Sequence, residues 1–238
     1  MSNSWFHFKE FTINQDKCAM KVGTDSILLG AWANCHEANN VLDIGTGTGI
    51  LSLMLAQRCK ATITGIDIAQ ESIQQAIENI NNSPWKNRIQ LFHSSLREFT
   101  PAIEKFDMII SNPPFFQNSL KAPDQQRTYA RHNETIHPDD IIIAAKKWLS
   151  QQGHISIIWP IEQGEEFIKT ASENQLFCNR ITKIKPHPGK PFHRLLLEFS
   201  FQNKSLEESE LTLENGIRHH YTEEYKNLTK DFYIHFKY

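Results

Sequence analysis

The chain has little cysteine, no long apolar stretch and almost no net charge. Its four cysteines form no Cys-x-x-Cys pair, so we expect neither a zinc site nor a disulfide framework. Purely apolar stretches reach only about five residues, whereas a membrane-spanning helix needs roughly 20. The first residues show no basic region followed by an apolar one, so no signal peptide is predicted and a cytoplasmic protein is expected.

The formal net charge of -2 argues mildly against a nucleic-acid partner, because dedicated nucleic-acid modules are often strongly basic. The length of 238 residues, with 39% apolar residues, is sufficient for one large globular domain with its own core. Composition alone therefore leaves a soluble globular protein of undefined function.

Short apolar segments alternate with segments of helical periodicity from residue 41 onward. The predicted strands are residues 41–44, 62–67, 89–92, 107–110 and 155–159. Such alternation predicts an α/β fold with a parallel sheet covered by helices on both faces. Near the end, residues 180–185 and 195–201 are predicted as two strands whose connection is too short for a crossover helix, so this pair should be antiparallel.

A glycine-rich turn follows the first predicted strand, with Gly45, Gly47 and Gly49 directly after Asp43. The spacing G-x-G-x-G differs from the dinucleotide fingerprint G-x-G-x-x-G, which disfavours a dehydrogenase. An acid at Asp43 suits a ligand with a positive group, such as an amino group or a sulfonium.

A second acid, Asp67, ends the second predicted strand. An acid at this place can accept hydrogen bonds from ribose hydroxyls. Its neighbour Ile68 could cover one face of an adenine. The turn and this acid together indicate a nucleoside-containing ligand.

The motif Asn112, Pro113, Pro114, Phe115 follows the fourth predicted strand, at the edge where open α/β sheets bind ligands. The prolines have no N–H group and stiffen the backbone. The Asn112 side-chain oxygen and the Pro113 carbonyl can accept both hydrogens of a nucleobase amine, whose conjugated lone pair is otherwise a poor nucleophile. Phe115 can stack on the base. Orientation supplies most of the rate, and no strong general base is required.

In this order, the motifs resemble those of class I S-adenosylmethionine (SAM) methyltransferases that modify planar amines, over about residues 18–200. Residues 20–32 (MKVGTDSILLGAW) and 221–233 (YTEEYKNLTKDFY) are similar to the bacterial valine-tRNA adenine N6-methyltransferases. The resemblance implies a Rossmann-like, seven-stranded, mostly parallel sheet whose last strand is antiparallel. It also implies SAM as cofactor and methyl transfer to N6 of an adenine in tRNA, adenine 37 of tRNA-Val.

The resemblance also assigns site residues. Residues 21–25 would lie over the methionine end of SAM, and Ser95 aligns with an Asp that often contacts the cofactor adenine. The predicted cofactor-binding residues are Lys21, Gly23, Thr24, Asp43, Gly45, Thr46, Gly47, Gly49, Asp67, Ile68, Ser95 and Asn112. The predicted catalytic residues are Asn112, Pro113, Pro114 and Phe115. No metal site is predicted.

Two stretches are candidates for contact with RNA. Residues 116–137 have little periodicity, which is typical of a binding loop or lid, and carry Lys121, Arg127 and Arg131. Residues 179–194 contain five cationic side chains and no acid, as a phosphate-contacting surface requires. These five are Arg180, Lys183, Lys185, Lys190 and Arg194.

We therefore expect one methyltransferase domain, with a cap at residues 1–40, a SAM-binding core at 41–201 and a tail at 202–238 packed on the core. A monomer with tRNA as partner, no membrane and no obligate protein partner is expected. Three alternatives stay open: a ribosomal RNA guanine N2-methyltransferase, a protein glutamine N5-methyltransferase, and a non-catalytic RNA-binding protein on the same scaffold. The glutamine enzymes typically have Tyr where Phe115 stands, which favours a nucleobase here.

Overall fold

The computed structural model describes residues 3–18, 21–114 and 136–235. The strands are β1 (Trp5–His7), β2 (Thr12–Asn14), β3 (Asn40–Ile44), β4 (Thr62–Asp67), β5 (Ile89–His93), β6 (Phe106–Ser111), β7 (Leu149–Pro160), β8 (Phe177–Lys185), β9 (Arg194–Ser200) and β10 (Glu207–Thr212). The α-helices are α1 (Thr24–Trp32), α2 (Ile50–Arg58), α3 (Gln70–Asn81), α4 (Pro138–Trp148), α5 (Ile161–Glu173) and α6 (Glu223–Thr229). Within these ranges, no helix combines the length and the apolar character needed to span a bilayer.

Eight strands form the main sheet, in the order β10-β8-β9-β7-β6-β3-β4-β5. Neighbouring strands pair in parallel from β7 to β5, while β9 is antiparallel to both β7 and β8. The predicted Rossmann-like α/β fold and the antiparallel pair near the chain end are confirmed.

The sheet has one strand more than the seven expected. The eighth strand, β10, pairs in parallel with β8 at the edge of the sheet. Its sequence, EESELT, carries three acids and buries only Leu211. An edge strand of this kind has almost no apolar alternation, so the sequence pattern did not indicate it.

The core consists of two clusters, one on each face of the sheet. Successive residues of a strand point to opposite faces, and β6 shows this clearly: Met108 and Ile110 belong to one cluster and Ile109 to the other. Helices α1 and α2 cover the first face, whereas α4 and α5 cover the second. Burial on both faces explains why the central strands are almost continuously apolar.

The two ends of the chain lie together against the first face. Strands β1 and β2 form an antiparallel hairpin, and the Phe8 and Phe11 rings after β1 stack with centroids 4.6 Å apart. The Lys9 amide donates a 2.9 Å hydrogen bond to the carbonyl of Phe232 in the tail. Phe8, Tyr225 and Phe232 are buried in the same cluster as α1 and α2.

Replacing Phe232 tests the contribution of the tail to stability. Its ring is 1% exposed, so we expect Phe232→Ala to lower the free energy of unfolding by about 3 to 5 kcal/mol. Ile234→Ala is the matched control, because Ile234 is 46% exposed and should cost roughly 0.5 kcal/mol or less. Urea unfolding of both variants measures the difference. Equal stability of the two variants would contradict the role of the tail in the core.

Candidate functional site

The predicted motifs meet at the carboxyl edge of the sheet. The glycine turn follows β3, Asp67 ends β4 and Asn112 follows β6, and these strands are neighbours. Two cavities open there. The Asp67 cavity, of about 260 Å³, is lined by Asp67, Ile68 and Ser95 among others. The Lys21 cavity, of about 410 Å³, is lined by residues of the segment 21–26 and by His193. Gly45, Gly47 and Asn112 line both cavities, so the cavities adjoin.

The backbone of the glycine turn requires glycine. Gly45, Gly47 and Gly49 have φ values of 72°, 55° and 81°, in the left-handed region that other residues adopt only with strain. The amides of Gly45 and Thr46 both donate to the Ile66 carbonyl at 2.9 Å. These bonds attach the turn to β4 and place its backbone along both cavities.

The Asp67 carboxylate is fixed by the backbone on each side. Its Oδ2 accepts a 2.8 Å hydrogen bond from the Gly47 amide and its Oδ1 a 2.9 Å bond from the Ala69 amide. Burial raises the pKa of this carboxyl, and the bonds from Ala69 and Gly47 oppose the rise. The neighbouring Ile68 side chain is 39% exposed and lines the same cavity. A fixed acceptor beside an apolar side chain suits a ribose joined to a flat base.

Asp43 has a different place from the one expected. It is fully buried and is absent from the lining of both cavities. Its Oδ2 instead accepts 2.7 Å hydrogen bonds from the hydroxyls of Thr46 and Ser52. The physical reason is that successive side chains of a strand point to opposite faces of the sheet. On β3 this places the Asp43 side chain beneath the glycine turn and not in a cavity. Asp43 thus supports the turn through Oδ2. Its Oδ1 is buried without a hydrogen-bond partner among the described residues, and contact with a ligand stays a prediction.

Gly49 is likewise absent from the lining of both cavities. It precedes α2, and a Cβ atom there would lie 3.3 Å from Cβ of Ala76 in α3. The glycine therefore permits close packing of the turn against α3. Its place in the motif reflects helix packing and backbone conformation, not contact with the cavities.

Asn112 lies at the junction of the two cavities. Its Nδ2 donates a 2.8 Å hydrogen bond to Oγ of Ser26 in α1. In the described ranges, no donor bonds to its Oδ1, which leaves an acceptor available. The preceding Ser111 donates to the Ile44 carbonyl at 2.8 Å and so ties the end of β6 to β3.

The other motif residues that the structure describes lie nearby. Pro113 is buried and Pro114 lines the Asp67 cavity. The predicted residues Phe115, Lys121, Arg127 and Arg131 lie outside the described residues.

The remaining predicted cofactor residues line one cavity each. Lys21, Gly23, Thr24 and Thr46 line the Lys21 cavity. Ser95 lines the Asp67 cavity, and its hydroxyl donates a 2.9 Å bond to the Glu98 carboxylate. The Ser95 oxygen also accepts a 3.3 Å hydrogen bond from the Glu98 amide, which leaves one lone pair of that oxygen for a ligand.

His193 and Leu213 also line the Lys21 cavity, and the sequence motifs did not indicate them. Burial, followed by the charge of Arg194, lowers the pKa of His193. Its Nδ1 lies 3.1 Å from the Ile184 carbonyl. Because a carbonyl only accepts, Nδ1 carries the proton in this contact. His193 lies in the basic stretch 179–194, which the sequence indicated for RNA contact and not for a cavity, and Leu213 lies in no motif.

The basic stretch 179–194 does not form the free cationic surface that its sequence indicates. Four of its five cations face carboxylates from other parts of the chain. The pairs are Arg180 with Glu198 at 2.7 Å, Lys183 with Glu208 at 2.9 Å, Lys185 with Glu210 at 3.8 Å and Arg194 with Asp25 at 2.9 Å. For the two lysines the reason is the acidic strand β10, whose parallel register along β8 brings Glu208 and Glu210 beside them. The arginines are paired with acids of β9 and α1. These four cations therefore form ion pairs within the fold and not an open cationic surface, and their contact with RNA stays a prediction.

The buried charge of Asp43 predicts a distinctive dependence of stability on pH. Burial raises its pKa to about 6, against the hydroxyl bonds from Ser52 and Thr46. Between that value and the unfolded value of about 4 the folded state binds more protons, so stability rises as pH falls. The Asp43→Asn variant lacks this titration.

Urea unfolding of both proteins at about pH 7.5 and about pH 5 measures the effect. We expect the difference in free energy of unfolding to shift by about 1 kcal/mol in favour of the wild type at the lower pH. A difference that does not change with pH would contradict a buried, ionised Asp43.

Comparisons with known proteins agree with this geometry. The family model "Methyltransferase small domain" matches residues 18–179. The "tRNA1(Val) (adenine(37)-N6)-methyltransferase" of Parabacteroides distasonis is 46% identical over 236 residues, covering 98% of this chain and 99% of the relative. The protein of the same name from Histophilus somni is 45% identical over 234 residues, covering 97% of this chain and 98% of the relative.

Solved structures support the fold. A predicted O-methyltransferase from Agrobacterium tumefaciens has a TM-score of 0.66 at 21% identity, covering 87% of this chain and 96% of that chain. A ribosomal protein L11 methylase from Lactobacillus delbrueckii subsp. bulgaricus has a TM-score of 0.51 at 18% identity, with coverage of 75% and 78%. At these identities the likeness establishes the fold alone. Since the family model spans most of the chain and the relatives match nearly all of it, this chain belongs to the class I SAM-dependent methyltransferases of the tRNA1(Val) (adenine(37)-N6)-methyltransferase family.

Proposed function

We propose that this protein transfers a methyl group from SAM to the N6 amine of adenine 37 in tRNA-Val. The observation that carries the proposal is Asn112, which stands at the junction of two adjoining cavities with its amide nitrogen already bonded and its oxygen available. A hydrogen-bond acceptor at that junction suits a substrate that presents N–H groups. The full-length relatives supply the identity of the substrate.

The residues present fit SAM. The fixed Asp67 carboxylate and the exposed Ile68 side chain suit the ribose and adenine of the adenosine part, in the Asp67 cavity. The left-handed backbone of Gly45 and Gly47 leaves room where a side chain would intrude, since a Cβ at Gly45 would lie 3.2 Å from Ile136. We assign the methionine part to the Lys21 cavity. When bound, the cofactor supplies an electrophilic methyl group on its sulfonium.

The chain itself contributes orientation. Asn112 Oδ1 and the Pro113 carbonyl would each accept one hydrogen of the adenine amine, which turns the nitrogen lone pair out of conjugation and toward the donor. Pro113 and Pro114 present no N–H group that could compete for these acceptors. Holding two reactants in one geometry is worth several orders of magnitude in rate, so no strong base has to be part of the site. Stacking of the base on Phe115 stays a prediction, because that residue lies outside the described ranges.

We also propose where the RNA backbone approaches. Two loops, residues 186–193 and 213–222, lie side by side; we call them the rim loops. The amides of Leu213 and Glu214 donate to the carbonyls of Lys185 and Pro186 at 3.0 and 2.9 Å. Since His193 and Leu213 also line the Lys21 cavity, the rim loops frame its opening.

The rim loops carry cations of a different kind from those on β8. Lys190 and Arg218 are exposed, and neither has a carboxylate partner in the part of the chain that the structure describes. The Glu214 carboxylate accepts a 2.8 Å hydrogen bond from the His219 amide. Ile217, 60% exposed, adds an apolar surface beside Arg218. Exposed cations at the opening of the Lys21 cavity, which Asn112 also lines, suit the phosphate backbone of an RNA whose base reaches Asn112.

The organisation of the chain supports a single domain over residues 1–238. The N-terminal hairpin, the tail and helices α1 and α2 share one buried cluster, so neither end has a core of its own. We propose that this domain acts in the cytoplasm, on tRNA. The monomeric state stays a prediction, which sedimentation would measure.

Replacing Asn112 tests the proposed chemistry. Purified wild-type protein with SAM should introduce N6-methyladenosine into tRNA from a strain that lacks the enzyme, as measured by mass spectrometry of nucleosides. We expect Asn112→Ala to lower kcat by about 100-fold or more, because one acceptor for the amine is removed, while the Kd for SAM stays within about threefold.

Asn203→Ala is the matched control, because Asn203 is exposed and lies outside both cavities. Near-normal turnover by Asn112→Ala would refute the amine-holding role. Methylation of ribosomal RNA or of glutamine in a protein, with none in tRNA, would refute the proposed substrate.

A second pair of variants tests the rim loops. We expect Lys190→Ala with Arg218→Ala to weaken tRNA binding and to lower the slope of log K against log salt by about two, because each removed cation leaves one phosphate without its counter-charge. Lys183→Ala is the control, because Lys183 is paired with Glu208. Filter binding over a series of salt concentrations measures the slopes. If the slope is unchanged in the double variant and reduced in Lys183→Ala, the proposal for the rim loops is refuted. The RNA would then contact the basic stretch 179–194, as the sequence predicts.

A further inference from the structure

We propose that Ser26 is a positioning residue, which holds the carboxamide of Asn112 in the orientation that presents its oxygen to the target amine. The proposal rests on the proposed function and concerns a residue outside the motif that carries the chemistry. The contact joins α1 to the end of β6, across 86 positions of the sequence.

The geometry of the contact is direct. Nδ2 of Asn112 lies 2.8 Å from Oγ of Ser26, and Ser26 lines the Lys21 cavity beside Asn112. In this arrangement the serine oxygen is the acceptor and the amide the donor. The opposite end of the amide, Oδ1, has no donor among the described residues, so it is the end left for a substrate.

The two ends of a carboxamide have opposite hydrogen-bonding character. The oxygen only accepts and the NH2 group only donates. Rotation of the Asn112 amide by half a turn would place N–H groups against the N–H groups of an adenine amine, an arrangement without a hydrogen bond. A serine hydroxyl can donate as well as accept, but here Oγ of Ser26 accepts from Nδ2, so the contact it makes belongs to the competent orientation of the amide.

The position of Ser26 is itself fixed by tertiary contacts. Helix α1 starts after Gly23 without a side-chain cap, and its first backbone bond, from Ile27 to Gly23, is long at 3.4 Å. The adjacent Asp25 is instead held by Arg194 of β9, with Nε to Oδ2 at 2.9 Å. This ion pair ties the first turn of α1 to the sheet, so the serine hydroxyl stands at a defined place relative to β6.

Steady-state kinetics of Ser26→Ala and Ser26→Thr test the proposal. We expect Ser26→Ala to lower kcat for tRNA methylation by about tenfold, the value of one hydrogen bond, with KM for SAM within about twofold. Ser26→Thr keeps the hydroxyl and should recover most of the activity. Ser172→Ala, an exposed serine of α5, is the matched control and should behave as wild type.

A double variant separates positioning from an independent effect. If Ser26 acts through Asn112, then Asn112→Ala with Ser26→Ala should be no slower than Asn112→Ala alone. Thermal unfolding of each variant checks that the fold is retained. Two results would overturn the proposal. One is a higher KM for SAM with unchanged kcat in Ser26→Ala, and the other is a kcat of the double variant tenfold below that of Asn112→Ala.

A measurement without turnover keeps the proposal distinct from the proposed function. In nitrogen-15 spectra, the side-chain NH2 signal of Asn112, assigned by its disappearance in Asn112→Ala, should report a rigid amide in the wild type and a mobile one in Ser26→Ala. An equally rigid amide in both proteins would overturn the role of Ser26, whatever the substrate. Absence of N6-methyladenosine in wild-type reactions would overturn the proposed function while this measurement still decides the role of Ser26.

Discussion

The buried carboxylate of Asp43 supports the part of the structure from which both cavities are built. An ionised acid without exposure to water is costly, and its raised pKa expresses that cost. The hydroxyls of Thr46 and Ser52 offset part of it by donating to one oxygen. The bond to Asp43 also fixes Thr46 within the glycine turn. The amide of the next residue, Gly47, is thereby directed at the Asp67 carboxylate. The acceptor that suits a ribose is thus held in place through a residue that touches no cavity.

The target side of the site depends on a different set of constraints. Asn112 stands where β6 ends, but the orientation of its amide depends on Ser26 in α1. The first turn of α1 depends in turn on Arg194 at the start of β9. Elements from the beginning, middle and end of the chain therefore converge on one side chain. The pairing of β7 with β6 on one side and with β9 on the other places β6 and β9 in one sheet, and α1 packs against that sheet.

The cationic stretch 179–194 shows that charges counted along the sequence differ from the charge presented at the surface of the fold. The stretch 179–194 is strongly cationic when its residues are counted along the chain. In the fold, β10 runs parallel to β8 and supplies Glu208 and Glu210 to Lys183 and Lys185. Two exposed cations near the Lys21 cavity, Lys190 and Arg218, lie instead on the two rim loops, which are different segments of the chain. A local surplus of charge is thus a poor guide to the potential at the surface, because opposite charges from distant segments cancel it.

The sequence by itself determined the α/β class, the glycine turn, and the places of Asp67 and Asn112 after their strands, because each depends on residues that are neighbours along the chain. Alternation of strands and helices, left-handed glycines and proline-stiffened loops are local properties, and Gly45, Gly47 and Asn112 accordingly meet at one edge. Only the tertiary structure decided that Asp43 lies under the turn, that four cations are paired, that β10 extends the sheet, and that Ser26 and His193 join the site. These features arise from contacts through space between residues far apart in sequence, which no local pattern encodes.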